Sequence, residues 1–154
     1  MKKTTENFHF KYLLNKVYLV LSEYIEVHNK LFAGSVFIYL KPSFDFGEYK
    51  GFGKDLLNQL EEVKQQLNLS SKEDGIDEAV LRSFSAYLLA LEKAIQKFTE
   101  IMSNCDSKSQ GNNKNYSWLK HRKEYREYNK LCKLYASKGK ILQDHIVELG
   151  DSNV

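Results

Sequence analysis

The sequence contains few residues that interrupt a helix. Its 154 residues include a single proline, Pro42, and eight glycines. Because proline and glycine most often end helices or mark turns, their scarcity favours long helices over many short strands. Hydrophobic residues make up 42% and charged residues 28% of the chain, which is too apolar for an intrinsically disordered protein. A chain of this length predicts one domain covering residues 1–154.

Long apolar stretches are also lacking. Uninterrupted apolar runs, such as the one from Val17 to Leu21, are short, whereas a membrane-spanning helix needs about 20 such residues. The basic residues Lys2 and Lys3 are not followed by an apolar stretch, so the sequence predicts no secretory signal. We therefore expect a cytoplasmic protein without membrane contact, whose two cysteines, Cys105 and Cys132, are free thiols.

Four stretches of the sequence repeat apolar residues every three or four positions, as helices around a shared interior do. They predict helices at about 5–32, 54–69, 76–104 and 116–149, with a flexible polar linker at 103–115. We call the inward positions the seam. The seam of the third helix is Leu81, Phe84, Leu88, Leu91, Ile95, Phe98 and Met102. The predicted fold class is all-α: a helical bundle of three long helices and one short helix.

An aromatic segment, residues 36–52, separates the first two predicted helices. Pro42 ends any helix before it, and the glycines that follow favour a loop. At 1.5 Å per residue the second helix would span only about 24 Å, against about 42 Å for the first, so part of the long helices needs another cover. We expect the segment to pack as a lid over one end of the bundle. Alternatively, Phe44, Phe46 and Tyr49 form an exposed patch for a partner.

The fourth predicted helix concentrates positive charge. Residues 114–140 include nine Lys or Arg and only two acids, whereas the whole chain has a net charge of +3. At 100° per residue, six of the basic residues fall within about a third of the helix circumference, opposite its seam. These six are Arg122, Lys123, Arg126, Lys130, Lys133 and Lys140. Such a face predicts a surface for an acidic protein or for nucleic-acid phosphates, or else an ordinary solvated surface.

Motifs for metal binding and catalysis are weak. No Asp or Glu occupies a seam position, so a carboxylate-bridged metal centre is not predicted. His28 and His121 lie on seams and could meet in the core, either as hydrogen-bonded core residues or, with Cys132, as a zinc site. The sequence Gly51-Phe52-Gly53-Lys54 opens the second predicted helix but lacks the spacing and hydroxyl residue of a phosphate loop. We predict no cofactor, no metal and no catalytic residue.

These observations predict a non-catalytic interaction protein: an adaptor, regulator or inhibitor that binds a partner through the basic face of the fourth helix, the aromatic segment, or both. The alternative is a nucleic-acid-binding subunit that contacts phosphates through the same basic residues. Heptad seams can also close between two chains, which leaves a homodimer open.

Overall fold

The computed structural model describes residues 2–32, 45–70, 76–112 and 115–152, and these residues form an all-α bundle without strands. The four helices are α1 (Lys2–Phe32), α2 (Phe46–Ser70), α3 (Glu78–Ser109) and α4 (Trp118–Ser152). The predicted all-α class is therefore confirmed. No helix in these ranges is both long enough and apolar enough to cross a bilayer.

The second helix is longer than the sequence pattern predicted. It contains 25 residues and begins at Phe46, eight residues before the predicted start. Asp45 explains the early start, because its carboxylate accepts a hydrogen bond of 3.1 Å from the Glu48 amide and satisfies an otherwise unpaired donor of the first turn. The predicted short second helix is therefore replaced by a helix of about 38 Å.

Three aromatic residues assigned to a loop, Phe46, Tyr49 and Phe52, therefore belong to α2. Phe46 is only 3% exposed and lies in the core, while Tyr49 is half-buried against it. Residues 36–44, with Phe44 and the rest of the predicted lid, lie outside the described residues.

Glycine in the first half of α2 allows a close approach to α3. A methyl group added at Gly53 would overlap the side chain of Thr99 and touch the ring of Phe98. Gly51, in the same turn, faces open space. Glycine is thus favoured at position 53, despite its low helix propensity, because the Thr99 side chain of α3 occupies the space that a Cβ atom would take.

The third helix begins where its capping residue predicts. The Asp77 carboxylate accepts hydrogen bonds from the amides of Ala79 and Val80, at 2.8 Å and 3.4 Å. At its other end α3 continues to Ser109, five residues beyond the prediction, so much of the predicted 103–115 linker is helical. Gly111, with φ of 78°, turns the chain after the helix.

Neighbouring helices run antiparallel. On α3 and α4, rising residue numbers on one helix meet falling numbers on the other, since Lys97 contacts Glu127 and Asn104 contacts Glu124. The same holds for α1 and α4, and for α2 and α3. The side chains of all four helices meet in one core. Its largest fully buried members are Tyr24, Tyr128, Phe84 and Phe98.

Candidate functional site

The six predicted basic residues of α4 lie together on its outer face. Because α4 is continuous from Trp118 to Ser152, the helical spacing used in the prediction applies to all of them. Every one of the six is exposed, and none forms an ion pair with another residue in the described ranges. We call this set the basic face: Arg122, Lys123, Arg126, Lys130, Lys133 and Lys140.

The only two acids of this region turn away from the basic face. Glu127 and Glu124 both approach Lys97 of α3, with N–O distances of 3.1 Å and 4.0 Å. Burial opposes the charge on Lys97, but its hydrogen bond to Glu127 prevails and raises the pKa of its ammonium. Burial raises the pKa of Glu124. Glu124 is thus held on the α3 side, whereas Glu127 also attracts Lys123 and Lys130 and offsets part of the positive charge of the basic face.

Exposed aliphatic side chains lie beside the cations. Leu119 is 74% exposed, and it precedes Lys123 by one helical turn and Arg126 by two. Leu134 and Ile141 are 42% and 43% exposed at the edge of the same surface. The outer side of α4 is therefore both basic and partly apolar.

His28 belongs to a buried hydrogen-bonded chain between α1 and α4. Its Nδ1 lies 2.7 Å from the Tyr128 hydroxyl, which also contacts the hydroxyl of Tyr24. The Tyr24 hydroxyl in turn lies 3.7 Å from Sγ of Cys132. Burial lowers the pKa of His28 and raises those of Tyr24, Tyr128 and Cys132.

These pKa directions keep both phenols and the thiol protonated, so each has a proton to donate. In the His28 tautomer without a proton on Nδ1, one arrangement of donors gives every proton an acceptor. With a neutral His28 accepting at Nδ1, Tyr128 donates to it, Tyr24 donates to Tyr128, and the Cys132 thiol donates to Tyr24. Every hydroxyl and thiol proton then has an acceptor. These hydrogen bonds link α1 to α4. Among the described residues, no three metal-ligating side chains lie close enough together to hold a metal ion.

His121 lies in a separate cluster, so the two histidines do not form one site. It is fully buried, with Nδ1 2.8 Å from the Tyr116 hydroxyl and 3.9 Å from Sγ of Cys105. A cysteine beside a histidine resembles a nucleophile with its base. However, burial raises the pKa of the Cys105 thiol to about 12, and Cys105 is only 3% exposed. The thiol therefore stays protonated and out of reach of a substrate.

The phosphate-loop interpretation of residues 51–54 does not fit the structure. Gly51, Gly53 and Lys54 lie within α2, between one and two turns from its start. Amides at these positions face helical carbonyls, so they are not available to an anion as first-turn amides are.

Sequence reasoning missed a groove between α1 and α4. It has a volume of about 470 Å³. The phenol rings of Tyr18, Tyr87 and Tyr135 line it, and Tyr87 reaches it from α3. The remaining lining residues are Leu21, Ile25, Ala136, Gly139, Leu142 and Gln143. No single-helix pattern shows that tyrosines from three helices converge on one opening.

Comparisons with known proteins add no family to these observations: no family model, curated protein or solved structure matches the chain.

Proposed function

We propose that this chain is a non-catalytic binding protein, of the adaptor, regulator or inhibitor type, and that its basic face binds an acidic surface of another protein. The observation that carries the proposal is the separation of charge on α4. Lys97 engages both acids of the region on the α3 side, while six cations remain exposed and without ion pairs among the described residues.

Electrostatic attraction alone does not choose between a protein and a nucleic acid. The exposed Leu119, Leu134 and Ile141 favour a protein, because aliphatic side chains gain from apolar contacts that a phosphate backbone does not offer. Tyr128 is buried and Tyr135 contacts Tyr24 in the interior, so neither presents a ring for base stacking on the basic face. Phe46 is buried, and the proposal does not use the aromatic segment.

A nucleic-acid-binding subunit is the second candidate. Arg122, Arg126, Lys130 and Lys133 repeat along one exposed helix face and are suited to phosphate contacts. The two candidate functions predict different partners, an acidic protein or a nucleic acid, and a different loss of binding as the salt concentration rises.

The proposal is tested with two charge-reversed variants of equal net charge. The first carries Arg122→Glu, Arg126→Glu and Lys130→Glu on the basic face. The control carries Lys11→Glu, Lys54→Glu and Lys93→Glu, three exposed cations on α1, α2 and α3 without ion pairs in the described ranges. Each variant and the wild type is used as bait in an extract of the source cells, and captured material is treated with nuclease or protease.

The expected result is a nuclease-resistant acidic protein retained by the wild type and the control and lost from the basic-face variant. Retention should weaken as salt rises from about 0.1 M to about 1 M, which shortens the screening length from about 10 Å to about 3 Å. Material destroyed by nuclease would support the nucleic-acid candidate. Equal capture by all three baits would overturn both.

A further inference from the structure

The groove between α1 and α4 contains polar atoms that the fold leaves without partners. Tyr87 is only 2% exposed, yet its hydroxyl forms no hydrogen bond with any described residue, although it lines the groove. The Tyr135 hydroxyl likewise forms none in the described ranges, whereas the Tyr18 hydroxyl donates to Oε1 of Gln143 at 3.2 Å. Among the described residues only Oε2 of Glu124 is a buried polar side-chain atom without a partner. Both phenol hydroxyls therefore reach the surface of the groove, where they can donate to a hydrogen-bond acceptor.

The three phenols lie close to one another. Burial raises the pKa of Tyr87, and the neighbouring Tyr135 and Tyr18 raise it further. Burial also raises the pKa of Tyr135 to about 12. At neutral pH the phenols are therefore protonated and available as donors, and a bound acceptor could receive more than one hydrogen bond.

The rest of the lining is apolar and uncharged. Leu21, Ile25, Ala136 and Leu142 supply aliphatic walls, and no charged side chain is among the lining residues that the structure describes. The volume of about 470 Å³ lies within the roughly 300–1,000 Å³ typical of small-molecule sites, which combine apolar walls with a few polar groups. The ligand that fits such a lining has an apolar body.

Two cations of α4 lie next to one lining residue, Ala136. Lys133 precedes Ala136 by three residues and Lys140 follows it by four, so helical geometry places both beside Ala136 on the same side of α4. Both are exposed and without an ion pair among the described residues. A negatively charged group of a ligand would therefore be attracted to these two ammonium groups at the rim of the groove, outside the apolar walls.

We propose that this groove is a binding site for a small apolar anion, an aliphatic or aromatic carboxylate whose body lies between α1 and α4 and whose head accepts hydrogen bonds from Tyr87 and Tyr135 beside Lys133 and Lys140. The proposed site shares Lys133 and Lys140 with the basic face, but Arg122, Arg126 and Lys130, which are changed to test the protein partner, do not line the groove, so the two proposals can fail separately.

The test uses decanoate as the probe, below its micelle concentration, with decanol as its uncharged counterpart. Isothermal titration measures affinity, and amide NMR spectra report the site. Wild-type protein should bind decanoate saturably, one molecule per chain, with shifts concentrated at Ile25, Gly139 and their neighbours. Absence of saturable binding, or shifts confined to other parts of the bundle, would overturn the proposal.

A blocking variant and a matched control locate the site. Ala136 is an exposed lining residue, so Ala136→Trp fills the opening from the solvent side. Ser137 is exposed but does not line the groove, so Ser137→Trp adds the same ring one residue away. Decanoate binding should be abolished in the first and unchanged in the second. Equal binding by the two variants contradicts the proposal.

Two further variants measure the contribution of a phenol hydroxyl and that of the lysine charges separately. They remain informative even if Ala136→Trp does not fold. Tyr87→Phe removes one donor and should weaken decanoate binding about threefold to tenfold. The double change Lys133→Gln, Lys140→Gln should weaken decanoate about twofold to fivefold and leave decanol unaffected. Unchanged decanoate affinity in both variants overturns the assignment. If the wild-type protein is a dimer and Ala136→Trp dissociates it, the groove binds a second copy of the protein. That result would also overturn the small-molecule proposal.

Discussion

The Tyr128 hydroxyl lies 2.7 Å from Nδ1 of His28, and this contact joins the end of α1 to the middle of α4. Tyr128 is fully buried, and the same hydroxyl contacts Tyr24. The Tyr128 phenol of α4 thus contacts two side chains of α1 and fixes the register of these two antiparallel helices. The two helices bound the groove, and α4 also carries the basic face.

This contact predicts a pH-dependent stability. Burial lowers the pKa of His28 from its usual 6.5 in the folded state, so the unfolded chain binds more protons below that pH. The contribution to stability is complete above pH 6.5 and is lost as the pH falls toward the folded-state pKa. Urea unfolding from pH 8 to pH 5 should show a declining free energy of unfolding over this window.

The variant His28→Gln removes this titration and should flatten the decline. His145→Gln is the control, because His145 is partly exposed on α4 beside Glu148 and no part of the buried chain. A decline of the same size in both variants would show that His28 is not its source.

Two glycines in the first half of α2, Gly51 and Gly53, predict opposite effects on stability. Gly51→Ala places a methyl group in open space and should stabilise the protein by up to about 1 kcal/mol through helix propensity. Gly53→Ala forces Thr99 and α3 to move and should cost about 1–3 kcal/mol. Denaturant unfolding measures both free energies. Equal effects of the two substitutions would contradict the close approach of α2 and α3.

The cysteines should react slowly and in a fixed order. Burial raises the pKa of both thiols, and it raises that of Cys105 to about 12. Cys105 is buried, whereas Cys132 is half-buried. Because the thiolate is the reactive form, both should be alkylated by iodoacetamide far more slowly than in unfolded chain, and Cys132 before Cys105. Peptide mass spectrometry over time gives both rates. Faster labelling of Cys105 would contradict its placement in the core.

Periodicity was sufficient to predict the existence of the four helices but not all of their ends. The repeats around Phe84, Leu91 and Phe98 predicted α3 with a start at about residue 76, two residues before its observed start at Glu78. The start of α2 was missed because the pattern begins only at Leu56, while Asp45 and Gly53 act through a side-chain cap and a contact with α3. Local patterns favoured a loop there, and packing between helices favours a helix.

The contacts between helices were largely beyond reach of the sequence. His28 and His121 were correctly placed on seams, but each hydrogen-bonds a different tyrosine, Tyr128 and Tyr116. The groove was not predicted because Tyr18, Tyr87 and Tyr135 lie on three helices whose relative rotation no single repeat specifies. The pairing of Glu124 and Glu127 with Lys97 was hidden for the same reason.

The central claim, that the basic face holds an acidic protein, is tested most directly by photo-crosslinking in the source cells. A benzophenone side chain is placed at Lys130 on the basic face or at Lys93, an exposed position on α3. We expect a nuclease-resistant adduct with an acidic protein at position 130, absent at 93 and lost when Arg122→Glu and Arg126→Glu are added. Adducts of equal yield at both positions, or none at position 130, would contradict the account.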